Sequence, residues 1–127
     1  MANAYKDAGV DIQMGNDFVR SIKANVKSTF TINTVTDIGG FGAVTSLRSI
    51  GEPNICLVSS IDGVGTKTRI ARIWKKNTKG NNLLGLGKDI VNHCVNDVLA
   101  MGAKPLFFMD YLGVSRLDIE EQSEIIE

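Results

Sequence analysis

Three aspartates stand where a carboxylate has chemical work available. Asp62 closes the apolar run ICLVSSI and opens Asp-Gly-Val-Gly-Thr-Lys at 62–67. Asp97 lies in a row of polar residues, Asp89, Asn92, His93, Asn96 and Asp97, spaced as one face of a helix. Asp110 interrupts the apolar run LFFMDYLGV at 106–114 and must sit at an edge, be paired, or bind something. Hard cations such as Mg²⁺ take carboxylate oxygens, often one or two together with phosphates. Glycine turns expose N–H groups, and a nearby lysine adds a point charge for phosphate. The chain has 13 Gly against 2 Pro, clustered at 39, 40 and 42, at 63 and 65, and at 80, 85 and 87. Lys67 ends the second cluster. Together these residues suit a nucleotide or phosphate site without a P-loop. Taken singly, each aspartate reads more readily as a helix cap or a paired structural residue.

The elements that must hold these residues follow from periodicity. Residues 1–15 lack it and read as an arm or loop. Phe18, Val19, Ile22 and Val26 define a helix over 16–28, with Asn16 or Asp17 as its cap. Residues 36–46 read as a glycine-rich turn and a short strand, and 55–61 as a second strand. A helix over about 66–76 carries Ile70, Ile73 and Trp74 on one stripe. Its Lys67, Arg69, Arg72, Lys75 and Lys76, with Lys79 beyond, form a solvated basic face that complements the helix dipole. The helix at 83–101 has a core stripe of Ile90, Val91, Cys94, Val95 and Val98. The opposite row of Asn, His and Asp costs helix propensity, so it reads as a lined site or as an ordinary polar face. Gly102 and Pro105 stop this helix. A strand at 106–114 follows, and Asp118 then caps a last helix that no glycine or proline ends, as if the chain belonged to something longer.

Composition removes several function classes. At 127 residues the chain is one small domain, with 43% hydrophobic and 22% charged residues. Fourteen basic residues balance fourteen acidic ones, which gives no reason to expect nucleic acid or membrane as a partner. A single His and two distant cysteines, Cys56 and Cys94, do not make a structural zinc site. Buried free thiols in a reducing, cytoplasmic setting are expected. Gly87-Lys88 is followed by Asp89, not Ser or Thr, so no P-loop exists.

YKDAGVDI at 5–12 with GN at 15–16, IGGFGA at 38–43, DGVGTK at 62–67 and CVNDVLAMGAKPLFFMDYL at 94–112 occur in order. In these motifs the chain resembles the phosphoribosylformylglycinamidine cyclo-ligases, also called aminoimidazole ribonucleotide synthetases. The resemblance covers essentially all of this chain and well under half of the family's. Two positions depart from it. Ile61 stands where the family commonly has Thr, and His93 extends a normally apolar or small-residue stretch.

The resemblance implies an α+β fold for 1–127, an N-terminal nucleotide-binding and dimerisation domain without the C-terminal one. Its small mixed or antiparallel sheet would carry helices on one side, with strands 55–61 and 106–114 pairing across a homodimer. It implies ATP-dependent ring closure of formylglycinamidine ribonucleotide to aminoimidazole ribonucleotide in purine biosynthesis, with ATP and Mg²⁺ as cofactors. By the resemblance Asp62 and Asp97 hold the metal. Lys23, Gly39, Gly40, Gly42, Asp62, Gly63, Gly65, Thr66, Lys67 and Asn96 are the nucleotide-binding positions. No catalytic nucleophile is implied, because positioning and charge stabilisation suffice for such a step. Little turnover is expected of these 127 residues alone. A non-catalytic dimerising or nucleotide-binding module is the alternative.

Overall fold

The computed structural model describes residues 4–78 and 83–127. Lys79 and Gly80, singled out above, lie outside the described residues. The chain divides into two compact units, Met1–Leu57 and Val58–Glu127.

The first unit begins with two helices, α1 (Ala4–Asp7) and α2 (Ile12–Ser28), where a loop was expected. The Asp11 carboxylate explains the early start of α2. It accepts the Met14 N–H at 3.1 Å and takes Lys6 as an ion-pair partner at 3.0 Å, so it is the N-cap in place of Asn16 or Asp17. Those two bonds, the backbone one first, hold the Asp11 carboxyl below its ordinary value. The apolar face of α2 is only partly covered: Ile22 and Val26 are half-buried, and Phe18 and Val19 stay exposed.

Strands β1 (Ala43–Leu47) and β2 (Glu52–Ser59) form a two-stranded antiparallel sheet. A single turn of 3-10 helix, Arg48–Ile50, joins them. Residues 33–35 lie beside β1 through Val35 N–H to the Val44 carbonyl and Ser46 N–H to the Asn33 carbonyl, at 3.0 and 2.7 Å. Ser46 is the buried residue at the centre of this pairing. Cys56, expected to be buried, is exposed on β2, because a two-stranded hairpin offers no second layer to cover it.

The second unit holds α3 (Lys67–Asn77), α4 (Leu84–Ala100) and α5 (Ile119–Ile126). With the first unit this gives a small α+β fold of five helices and one sheet among the described residues. The core lies here: Leu83, Leu86 and Cys94 are buried. Val91 of the expected core stripe is 37% exposed, so the burying face of α4 is narrower than its periodicity suggests. Ile70, Ile73 and Trp74 of α3 are also exposed rather than buried.

Helix α4 begins at Leu83, which has no side-chain acceptor to offer its first turn. Glu124 of α5 supplies one, taking the Leu83 N–H at 2.6 Å, and pairs with Lys75 from the last turn of α3. One carboxylate thus ties three helices together. Lys75 first and the Leu83 N–H after it hold the Glu124 carboxyl below its ordinary value, and Glu124 raises Lys75 in return. Helix α5 is capped as expected, with Asp118 accepting the Glu121 N–H at 3.1 Å. Gly87 allows the close approach of α4 to α5. A Cβ there would lie 2.0 Å from the Ile125 carbonyl oxygen.

After α4 the N–H groups of Gly102 and Ala103 return to the carbonyls of Leu99 and Val98, and the helix stops as expected. Residues 106–114 form no strand, contrary to expectation. An apolar run specifies an extended path only as a pleated, half-buried surface. Here Leu106, Phe107, Met109 and Tyr111 remain exposed, and the sheet among the described residues consists of β1 and β2 alone.

Candidate functional site

The motif DGVGTK leaves β2 and enters α3, so its residues sit on a strand-to-helix connection. Asp62 accepts the N–H of Gly63 at 2.6 Å, which fixes the carboxylate against its own backbone. His93 of α4 closes on the other oxygen, with Nε2 2.7 Å from Asp62 Oδ2. These two bonds, the Gly63 N–H first, hold the Asp62 carboxyl below its ordinary value. Asp97 lies one helical turn beyond His93 and accepts the Ser60 hydroxyl at 2.8 Å. One donor atom from each of Asp62, His93 and Asp97 lies within 4.8 Å of the other two. The two expected metal carboxylates are therefore neighbours although 35 positions separate them. The imidazole that joins them was read as part of a polar row and as a departure from the family's pattern, not as a ligand. Its spacing of four from Asp97 on one helix face is the signal that could have placed it.

Lys67 opens α3 and is paired with Asp89 at 2.7 Å. It lines a cleft of about 230 Å³ with Ile70, Trp74, Leu86 and Asp89. Gly65 has φ +70°, a left-handed conformation in which a side chain is strained, and Thr66 stands at the N-cap of α3. The Gly63 N–H is already given to Asp62, so this glycine serves the carboxylate. Asn96 is exposed on α4 beside Asp97. Asp110 lines a second cavity of about 590 Å³ with Lys88, Asn92, Val91 and Phe108.

Lys23, Gly39, Gly40 and Gly42 belong to the first unit. Gly39 has φ +103°, and no heavy atom outside its chain neighbours lies within 4 Å of a Cβ built there. Asp37, just ahead of this turn, pairs with Lys27 at 2.8 Å and Lys23 at 3.8 Å. Lys27 first, then the Ile38 N–H, hold the Asp37 carboxyl below its ordinary value. The glycine turn is thereby anchored to α2.

The family described as AIR synthase related protein, N-terminal domain, matches residues 39–127. The chain belongs to this family. The match takes in the IGGFGA turn from Gly39 onward, DGVGTK and the whole of α4. A protein from Geotalea uraniireducens named phosphoribosylformylglycinamidine cyclo-ligase is 48% identical over 97% of this chain and 34% of its own length. A protein of the same name from Brevibacillus brevis is 44% identical over 100% of this chain and 35% of its own length. The chain spans about a third of the length of these curated relatives. No solved structure matches it. Among the described residues, no helix is long and apolar enough to cross a membrane.

Proposed function

We propose that this chain provides the Mg²⁺-ATP-binding part of an ATP-dependent cyclo-ligase that closes formylglycinamidine ribonucleotide to aminoimidazole ribonucleotide in the cytoplasm. The observation that supports this most is the meeting of Asp62 and Asp97 from two separate motifs, within the segment that matches the family. The donor set fits the group. Two carboxylates on one patch suit a hard divalent cation, and the Gly-Thr-Lys segment beside Asp62 suits its phosphates.

When bound, Mg²⁺ would offset phosphate charge as it develops during transfer. The residues do the rest by holding position. The Gly63 N–H and His93 favour the ionised form of Asp62, and the Ser60 hydroxyl orients Asp97. Lys67 would exchange Asp89 for a phosphate oxygen, a swap between two exposed partners that costs little. Gly65 and Thr66 would bring backbone close to the nucleotide, with Asn96 a polar contact on α4. Gly39, Gly40 and Gly42 would approach a phosphate, and Lys23 would supply a charge there. Pairing of two copies into a homodimer belongs to the same reading.

Release of ADP that depends on formylglycinamidine ribonucleotide, measured on a full-length relative in which this chain replaces the matching third, tests it. Substrate-dependent release that is lost in Asp62→Asn supports the cyclo-ligase. Mg²⁺-ATP binding with no substrate-dependent release would instead support a nucleotide-binding module without turnover.

A further inference from the structure

The patch formed by Asp62, His93 and Asp97 is not a set of carboxylates alone. His93 is the only histidine in the chain, and it meets Asp62 across 31 positions of sequence. Ligand type decides which cation a site favours. Carboxylate and water suit Mg²⁺, whereas an imidazole nitrogen adds affinity for zinc and its first-row neighbours. Donors bound tetrahedrally to one zinc at about 2.0–2.1 Å stand about 3.3 Å apart, a spacing that the three donors, all within 4.8 Å of one another, reach by a small side-chain adjustment. His93 would bind as the neutral base with its proton on Nδ1, and its present hydrogen bond to Asp62 would be given up. About half of each of these two side chains is exposed, so an ion reaches the patch without the fold opening.

We infer that His93 is a third ligand beside Asp62 and Asp97, making this a binding site for a borderline divalent cation such as Zn²⁺ as well as Mg²⁺. This builds on the reading of the two aspartates as metal ligands. The patch then holds imidazole-seeking ions more tightly than the two carboxylates alone would.

The test uses ¹⁵N-labelled protein and zinc chloride or magnesium chloride alone. Because the chain has one histidine, the two imidazole nitrogen resonances report on His93 and on no other site. Zinc should shift them strongly, and calorimetry should show zinc affinity falling at least about tenfold in His93→Gln and again in Asp97→Asn. Magnesium affinity should fall less in His93→Gln than zinc affinity does, because an imidazole nitrogen favours zinc over a hard cation. The exposed position of His93 predicts an unchanged far-UV spectrum for that variant. Imidazole nitrogens unmoved by zinc, or equal zinc affinity in His93→Gln and the parent, would overturn the inference. If that happens while Asp97→Asn still weakens Mg²⁺-ATP, the functional reading stands and the inference alone falls. If Mg²⁺-ATP ignores both aspartate changes while zinc still requires His93, the zinc site stands and the nucleotide reading falls.

Discussion

The two units of this chain solve the same problem in different ways. In Met1–Leu57 the order is local. Carboxylates cap their own helix or pair with the helix beside them, Ser46 is the single buried residue among those described, and α2 buries none. In Val58–Glu127 the side chains reach across elements. Glu124 caps α4 from α5 and pairs with α3, Arg72 pairs with Glu121 at 3.2 Å, and His93 reaches back to Asp62. Function follows that contrast. A donor cluster needs groups from distant positions held together, and among the described residues the packed helices of the second unit hold one.

Crowding in one unit and open space in the other should separate sharply on mutation. Gly87→Ala places a Cβ against backbone, which cannot swing aside, so α4 and α5 must part. A loss of about 2–3 kcal/mol is expected, read as an earlier melting transition. An unchanged melting temperature would break the view that α4–α5 packing is tight.

Glu124→Gln comes next. The amide still accepts the Leu83 N–H but loses the charge that Lys75 needs, so melting should fall by a few degrees. The pH dependence follows from the same pair. Glu124 lies below its ordinary 4.5, so its contribution is full above that value and is lost as pH falls through the lowered one. Lys75 lies above its ordinary 10.5, so its contribution is full below that value and is lost as pH rises through the raised one. The clasp should therefore be strongest between these limits, and Glu124→Gln should flatten the acid side of a melting-temperature profile.

The smallest effect belongs to the first unit. Gly15 lies inside α2, and nothing lies within 4 Å of a Cβ placed there. Gly15→Ala should stabilise by about 0.5–1 kcal/mol through helix propensity alone. A loss of stability there would show that α2 is more crowded than its open surroundings indicate.

Helices α2 to α5 were legible because apolar spacing and caps are local signals, whereas the four-residue α1 is too short to carry either. Asp118 and Gly102 did what their residue types suggest. The start of α2 was misplaced because Asp11 precedes a glycine and two polar residues that blur the period. The strand at 106–114 failed for a different reason. Hydrophobic character says that a segment needs covering, but a strand also needs a partner, and no residue in the run names one. At the site, the motifs gave Asp62 and Asp97. The roles of Glu124, Ser60 and His93 depend on which helices meet, and that is a tertiary fact.

The central claim is that Asp62 and Asp97 act together on one Mg²⁺-bound nucleotide. Calorimetric titration of Mg²⁺-ATP into the parent, Asp62→Asn and Asp97→Asn, beside a melting curve for each, tests it most directly. Asn keeps the size of the side chain and can still accept from Ser60 or Gly63, so the fold should persist. The account predicts that either change weakens Mg²⁺-ATP binding by at least about tenfold with little change in melting. Unaltered binding in both variants would contradict it, and lowered melting with unaltered binding in Asp97→Asn would make that carboxylate structural.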